Sequence, residues 1–283
     1  MQWLNAKLIE MAEVTSSAVK KVTATVIKSM RSTGEKISML TSYDFTMAQL
    51  VDKAGVDVIL VGDSASNTMI GNKTTLPITV DEMIVFGKSV VNAVKRAHVV
   101  IDMPFGSYQT SKEEGVRNAC RIMKETGADS LKIEGGLEYL DTIKAIINAG
   151  IPVMAHLGLT PQSVNKFGGY GVRAKEEAEA AKLISDAKLL DEAGCYAIVL
   201  EKIPASLTAK VRKEISMPII GIGAGVEADG QVLVIQDMLG MTQMKLPKFV
   251  RKYANLDEVI TNAVANYCSD VKNGKFPDEN ESY

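Results

Sequence analysis

The stretch "VDVILVGDS", from Val56 to Ser64, decides how the rest of the chain is interpreted. Its first six residues are mostly apolar, which indicates a strand buried on both faces, because a half-exposed strand alternates apolar and polar residues. The stretch then ends in Gly62, Asp63 and Ser64. A single strand of this kind could simply precede a helix cap, so the pattern becomes informative only if it recurs along the chain.

The pattern does recur across the 283 residues. Further Val- and Ile-rich runs, too continuous for half-exposed strands, occupy residues 36–44, 98–106, 130–136, 151–158, 195–202, 217–225 and 231–237. Eight strands alternating with helices over about 250 residues are typical of one fold, so we predict an α/β chain folded as a (β/α)8 TIM barrel in a single domain. A doubly wound open sheet has similar periodicity and is the alternative, because only "VEADG" separates the last two predicted strands.

Helical patterns fill most of the intervals between these strands. Thr79 and Glu82 have the spacing of a capping box, and so do Ser111 and Glu114. Gly127 lies where a helix C-cap is expected. This alternation of helix and strand favours a parallel sheet with helices on its outside.

The composition narrows the class of protein. With 46% hydrophobic residues the chain can bury a large core, and 32 basic against 34 acidic residues create no field that attracts nucleic acid. Cys120, Cys195 and Cys268 are far apart and outside any CxxC spacing, so we predict neither disulfides nor a zinc site. No apolar run approaches the ~20 residues of a membrane span, and charges interrupt the region where a signal peptide would be apolar. We therefore expect a cytoplasmic protein that binds neither nucleic acid nor membrane.

Acidic side chains stand at the ends of three consecutive predicted strands. The site of a TIM barrel is built at the carboxyl ends of its strands, so Asp63, Asp102 and Glu134 are predicted to converge at the barrel mouth. Three carboxylates brought together need a cation, and hard oxygen ligands favour Mg²⁺. The alternative is that each acid caps the following helix or pairs with a nearby base.

Further strand ends carry the remaining candidates. Lys132 would bind an anionic substrate, unless it only neutralises Glu134. His156 would take part in binding or proton transfer, unless it is a strand-end histidine whose hydrogen bonds are all made within the protein. Glu201 follows the run "AIVL", which should be deeply buried, so we expect a buried carboxylate that acts as a general base, unless it pairs with Lys202. Together these residues suggest proton abstraction next to a metal-bound carbonyl, which yields an enolate.

Several long blocks of the sequence also occur in the order typical of one enzyme family. They include "AGVDVILVGDS", "DMPFGSYQ", "LKIEGG", "IPVMAHLGLTPQSVNKFGGY", "AIVLEKIPA" and "PIIGIGAGVEADGQVLVIQDMLG". On these blocks the chain resembles the 3-methyl-2-oxobutanoate hydroxymethyltransferase family, also called ketopantoate hydroxymethyltransferases. The similarity runs from about Lys21 to the closing "GKFP", so we predict an N-terminal extension over residues 1–20 and a catalytic barrel over residues 21–283.

The resemblance implies a function and a role for each candidate residue. The function is transfer of a hydroxymethyl group from 5,10-methylenetetrahydrofolate to 3-methyl-2-oxobutanoate, giving 2-dehydropantoate in pantothenate biosynthesis. The implied roles are metal ligation by Asp63 and Asp102 with Glu134 in the same Mg²⁺ shell, keto-acid binding by Ser64 and Lys132, lining of the site by His156, and removal of the C3 proton by Glu201. A homodecamer is the implied assembly.

Two departures from the family pattern and two rival functions remain. The segment "GDSASN" stands where "GDSLGM" is expected, so the three residues from Ala65 to Asn67 differ from the family pattern. The segment "VFGK", from Val85 to Lys88, stands where a "YHT"-like segment is usual. These leave the metal ligands and the base in place and affect loop two and the folate contacts. The rivals are a phosphoenolpyruvate mutase-like or isocitrate lyase-like Mg²⁺ barrel, and an inactive barrel that only binds a metabolite.

Overall fold

The structure is a computed structural model that describes residues 19–243 and 245–283. The predicted extension over residues 1–20 therefore falls mostly outside the described residues, and its role stays a prediction.

Eight parallel strands close into a barrel in sequence order, with β1 paired to β8. The strands are β1 Ile37–Thr41, β2 Val58–Val61, β3 His98–Asp102, β4 Ser130–Glu134, β5 Val153–Gly158, β6 Ala197–Glu201, β7 Ile219–Ile222 and β8 Gly230–Leu233. The pairing of Ile37 with Gly230 closes the ring. The predicted TIM barrel is thus confirmed, and the open doubly wound sheet is excluded.

Helices surround the barrel and connect most of the strands. They are α1 Ala24–Thr33, α2 Phe45–Lys53, α3 Ala65–Thr68, α4 Val80–Ala93, α5 Lys112–Thr126, α6 Leu140–Asn148, α7 Val164–Phe167, α8 Glu177–Glu192, α9 Ala205–Glu214, α10 Ile235–Met238 and α11 Leu256–Lys272. Between β7 and β8 the structure has only the turn 223–229. This turn contains most of the segment "VEADG", so the last two strands are joined without a helix between them.

The helix ends follow local sequence signals. Thr79 and Glu82 form the predicted capping box of α4, and Gly127 ends α5 in the left-handed conformation with φ of 75°. Ser111 caps α5 as predicted, but Glu114 does not complete a box there. Its carboxylate instead accepts a hydrogen bond from the Thr110 hydroxyl, which competes for the same oxygens.

The core consists of two layers. Side chains of alternate strand residues, among them Met39, Leu60 and Val100, fill the barrel interior, and Ile27 and Met30 of α1 pack into the same cluster. A second cluster lies between the outer strand faces and the helices. Helix α1 thus covers the barrel interior at the amino ends of the strands.

The last helix, α11, packs differently from the others. None of its residues is buried. Apolar side chains that it exposes are Val259, Ile260, Val264, Tyr267 and Val271. Within residues 19–243 and 245–283, no helix combines the length and apolar character needed to cross a membrane.

Candidate active site

A pocket of about 900 Å³ opens at the carboxyl ends of the strands. We call it the mouth pocket. All the candidate residues from the sequence line it, namely Asp63, Ser64, Asp102, Lys132, Glu134, His156 and Glu201. The strand ends therefore bring the predicted side chains to one place, although this does not by itself assign their roles.

The end of β2 shows why the sequence places Gly-Asp-Ser there. A Cβ on Gly62 would lie 2.7 Å from Ser64 Oγ, so glycine leaves the space in which the serine hydroxyl sits. That hydroxyl is 2.8 Å from Tyr43 Oη, and the backbone N–H of Asp63 donates to Asp102 Oδ2 at 2.9 Å. The turn after β2 thus holds the carboxylate of Asp102, at the end of β3, in place.

Asp63 and Asp102 are both buried and both resist ionisation in the absence of a cation. Burial, together with Glu134 and Asp102, raises the pKa of Asp63 well above its ordinary value. Burial also raises the pKa of Asp102, although Lys132 opposes that effect from 2.8 Å. A positive charge between these two carboxyl groups would favour their ionised forms.

Lys132 and Glu134 occupy the centre of the charged cluster. Burial disfavours the charged form of Lys132, but Asp102 and Glu134 outweigh it and raise the pKa of the ammonium group. The Glu134 carboxylate is 3.1 Å from His156 Nδ1 and 3.8 Å from Lys132 Nζ. Although burial favours the neutral acid, these two bases lower the pKa of Glu134. The cluster therefore holds Glu134 ionised.

His156 connects the buried cluster to Glu201. Its Nδ1 lies 3.1 Å from Glu134 and its Nε2 lies 3.4 Å from Glu201 Oε2. Burial and Lys132 disfavour the imidazolium, but Glu134 and Glu201 outweigh them and raise the pKa of His156 to about 9. A protonated His156 can hold the Glu201 carboxylate in one orientation.

Glu201 is less buried than its strand predicts, which corrects the sequence interpretation. The preceding residues of β6 are buried, but the Glu201 side chain remains 15% exposed because it faces the open mouth pocket. Lys202 has a positive φ of 50° and donates to the carbonyl of Tyr170, so its ammonium group is engaged away from Glu201. The carboxylate is therefore accessible to a ligand in the pocket.

Two site residues were not predicted from the sequence, Gln162 and Tyr108. Gln162 donates through Nε2 to Asp63 Oδ2 at 3.0 Å and through its backbone N–H to Glu134 Oε2 at 3.0 Å. Tyr108 donates to Gln162 Oε1 at 2.8 Å. Both come from loops after β5 and β3, and the only signal in the sequence was their position inside the blocks "HLGLTPQS" and "DMPFGSYQ".

The carboxyl groups of Asp63 and Asp102 fit a magnesium ion. Mg²⁺ is commonly held by one or two protein carboxylates, with water and substrate oxygens completing its shell. Asp102 Oδ1 is buried and lies 2.8 Å from the Lys132 ammonium group, so a bound magnesium ion would share this oxygen with Lys132. Within the described residues no three His, Cys, Asp or Glu side chains are arranged to hold a metal together. Since Glu134 already accepts from His156 and Gln162, its predicted place in the metal shell fits a water-mediated contact.

Comparison with known sequences assigns the family. The sequence profile of the ketopantoate hydroxymethyltransferases matches residues 21–279. The chain belongs to this family. Proteins named 3-methyl-2-oxobutanoate hydroxymethyltransferase from Bacteroides fragilis and Bacteroides thetaiotaomicron are 63% and 64% identical over 273 residues, which covers 96% of this chain and 100% of each relative. A Porphyromonas gingivalis protein of the same name is 61% identical over 264 residues, 93% of this chain and 97% of the relative.

Solved structures share the fold at low sequence identity. A putative phosphonomutase from Burkholderia cenocepacia has a TM-score of 0.60 and 14% identity, covering 75% of this chain and 92% of that chain. A phosphonopyruvate hydrolase complexed with oxalate and Mg²⁺ has a TM-score of 0.59 and 10% identity, covering 91% and 92%. At such identities the likeness concerns the fold alone, and the family match decides against the mutase-like alternative.

Proposed function

We propose that the chain transfers a hydroxymethyl group from 5,10-methylenetetrahydrofolate to 3-methyl-2-oxobutanoate. With one water consumed, the products are 2-dehydropantoate and tetrahydrofolate, and the step belongs to pantothenate biosynthesis. The observation that carries the proposal is the family match together with a pocket that combines two buried aspartates, a buried lysine and an accessible glutamate. A barrel that only binds a metabolite has no need for the accessible carboxylate.

The proposed base is Glu201. Its carboxylate is accessible to the pocket and lies 3.4 Å from His156 Nε2, so it can accept the proton from C3 of the keto acid. The resulting enolate carbon then forms the new C–C bond to the methylene carbon of the folate, which gives up its bonds to N5 and N10. Water supplies the hydroxyl group, and the two nitrogens take up one proton from C3 and one from water, leaving tetrahydrofolate. His156 remains protonated near Glu134 and steadies the base.

Lys132 and Ser64 are proposed to bind the keto acid. The Lys132 ammonium is buried and charged, so it can pair with the substrate carboxylate in a low-dielectric site. The Ser64 hydroxyl, oriented by Tyr43, can donate to a substrate oxygen. Together they would hold C3 of the keto acid facing Glu201.

Mg²⁺ is the proposed cofactor, with Asp63 and Asp102 as its ligands and Glu134 in the same shell through water. When bound, the ion would polarise the 2-oxo group of the keto acid and so increase the acidity of C3. The six titratable side chains at the ends of β2 to β6 support a divalent cation, because four of them are acidic and two are basic.

Location and assembly are the remaining parts of the proposal. We expect the protein to act in the cytoplasm and to form a homodecamer. The apolar side chains exposed along α11 support an assembly, because a contiguous apolar surface is usually covered by another chain. Native mass spectrometry of the full chain tests the stoichiometry directly.

Product formation tests the function. Purified protein is incubated with 3-methyl-2-oxobutanoate, 5,10-methylenetetrahydrofolate and Mg²⁺, and 2-dehydropantoate is quantified by mass spectrometry. We expect product with Mg²⁺ and none with EDTA, with activity restored by added Mg²⁺. No product under any of these conditions would contradict the proposal.

A further inference from the structure

The mouth pocket is far larger than the keto acid of the proposed reaction. Its volume of about 900 Å³ is near the top of the range of roughly 300–1,000 Å³ in which proteins enclose drug-sized ligands. A small branched keto acid fills a minor part of that space. The remaining volume is available to the second, larger substrate.

The two sides of this pocket differ in chemistry. The ends of β2 to β6 contribute the charged side chains, whereas the neighbouring ends of β7, β8 and β1 contribute Ile222, Leu233 and Thr41. Phe249 extends this uncharged side, because a Cβ on Gly223 would lie 2.7 Å from its ring. The side formed by β7, β8 and β1, which we call the apolar side, suits a flat ring.

Two hydrogen-bond acceptors border the apolar side, on the residues that follow β8. Gln236 lines the pocket, and its Oε1 is shielded from solvent and accepts no hydrogen bond from the described residues. Asp237 lines the same pocket, and among the described residues its carboxylate accepts only from the Thr242 hydroxyl, through Oδ1. A shielded amide oxygen without a donor is unfavourable, so this pair of acceptors calls for a ligand that brings donors of its own.

We propose, resting on the function proposed above, that Gln236 and Asp237 bind the pterin ring of the reduced folate. The N3–H and the 2-amino group of a pterin are adjacent donors on one edge, which match an amide oxygen beside a carboxylate. The faces of the ring lie against Leu233 and Phe249. The keto acid and the folate thus occupy opposite sides of one pocket.

The rim of the pocket supports this orientation. Lys73 and Lys245 line the pocket and are exposed to solvent. With the pterin edge on Gln236 and Asp237, the glutamate tail of the folate extends outward, and its carboxylates meet these ammonium groups. Pairs of this kind are screened by salt, so the tail contributes less to binding than the ring does.

The inference is tested with Gln236→Met and Asp237→Asn, which keep side-chain size and remove one acceptor or one charge. We expect each substitution to raise the KM for 5,10-methylenetetrahydrofolate about 10-fold or more, the effect of losing a hydrogen bond to a buried or charged acceptor. The KM for the keto acid should change less than about twofold. An unchanged KM for the folate in both variants would overturn the proposal.

Folate-independent proton exchange at C3 of the keto acid separates this proposal from the proposed function. Both variants should retain wild-type exchange rates, because the keto-acid side of the pocket is untouched. Exchange lost in the variants would overturn the inference, whereas exchange absent from the wild type would count against the proposed function itself. Gln243→Met and Asp257→Asn are matched controls, because these residues bond to each other outside the pocket lining.

A ligand analogue tests the contact itself. Isothermal titration calorimetry compares tetrahydrofolate with its 2-desamino-2-methyl analogue on the wild type and on Asp237→Asn. We expect the analogue to bind about 10-fold more weakly to the wild type, and the variant to lose most of this discrimination. If the variant discriminates as well as the wild type, the 2-amino group is not bound by Asp237.

Discussion

The two ends of the barrel are built from the same strands but differ in the charge of their buried polar groups. β3 begins with His98 and ends with Asp102, and β4 begins with Ser130 and ends with Glu134. All four side chains are buried. At the amino end these groups form a neutral network, whereas at the carboxyl end acids outnumber bases.

At the amino end the buried polar groups pair with one another or with opposite charges, apart from His98 Nδ1, which has no hydrogen-bond partner among the described residues. His98 Nε2 lies 2.8 Å from Ser130 Oγ, which lies 2.9 Å from Tyr196 Oη. Burial lowers the pKa of His98 to about 4, so the ring is neutral at pH 7. Nearby, Asp229 is paired with Arg31 and Arg212.

At the carboxyl end four acidic side chains face two basic ones, so a bound cation would balance the excess of acid. The raised pKa values of Asp63 and Asp102 show that the pocket does not stabilise both charges by itself. In TIM barrels the carboxyl end carries catalysis and the amino end carries stability. The comparison predicts that substitutions at the two ends affect different measurements.

The largest effect is expected for Asp63→Asn at the carboxyl end. Loss of the carboxylate that we propose as a Mg²⁺ ligand should reduce kcat/KM by about 1,000-fold, equivalent to about 4 kcal/mol. The free energy of unfolding without Mg²⁺ should stay equal or increase, because a poorly tolerated buried charge is removed and the amide oxygen can still accept from Gln162. Steady-state kinetics and urea unfolding measure the two quantities. A large loss of stability would break the comparison.

Asp229→Ala at the amino end should do the reverse. Asp229 is 3% exposed and accepts from Arg31, from Arg212 and from the backbone N–H of Ile219. Its removal leaves the mostly buried Arg31 guanidinium without a carboxylate partner and should lower the free energy of unfolding by about 3 kcal/mol. The kcat of the folded fraction should be unchanged.

A surface pair gives the matched control for that experiment. Asp81 pairs with Arg121, and both side chains are largely exposed. Asp81→Ala should change the free energy of unfolding by less than about 1 kcal/mol. Equal losses for Asp81→Ala and Asp229→Ala would contradict the role assigned to the amino end.

His98 should make stability depend on pH. The pKa of His98 is about 4 in the folded protein and about 6.5 in an unfolded chain. Between these values the unfolded chain binds a proton that the folded chain does not, so stability falls as the pH decreases from 6.5 to 4. The loss is up to about 3 kcal/mol. Unfolding of the wild type and of His98→Gln across this range measures it, and parallel curves would contradict the prediction.

Among the substitutions at the two ends of the barrel, Tyr196→Phe should have the smallest effect. The substitution removes one hydroxyl that shares a hydrogen bond with Ser130 and keeps the ring that packs edge-on against His98. We expect a loss of about 1 kcal/mol in the free energy of unfolding. The kcat/KM should not change, and a decrease beyond about twofold would show that the two ends are coupled.

Much of the barrel could be predicted because each strand carries its own signal. The run Val58–Val61 is apolar throughout because both faces of a parallel strand are covered, and the polar residues that follow Gly62 mark its carboxyl end. The side chains at these ends, such as Asp102 and His156, could therefore be assigned to one pocket before the structure was known.

Contacts that depend on loop paths could not be predicted in this way. Gln162 reaches Asp63 across 99 residues of sequence because a short turn after β5 folds back over the pocket. The Glu201 side chain is 15% exposed because it borders the open pocket at the end of β6. Neither property has a periodic or spacing signal in the sequence, because each is set by tertiary structure.

The central claim is that Glu201 removes the C3 proton of the keto acid within a charged pocket that needs Mg²⁺. The measurement is exchange of the C3 proton of 3-methyl-2-oxobutanoate in D₂O, followed by NMR without folate. We predict exchange in the wild type with Mg²⁺, loss of exchange with EDTA, and a rate lower by at least ~100-fold in Glu201→Gln, the usual size of a general-base contribution. A correctly folded Glu201→Gln variant that exchanges as fast as the wild type would contradict the account.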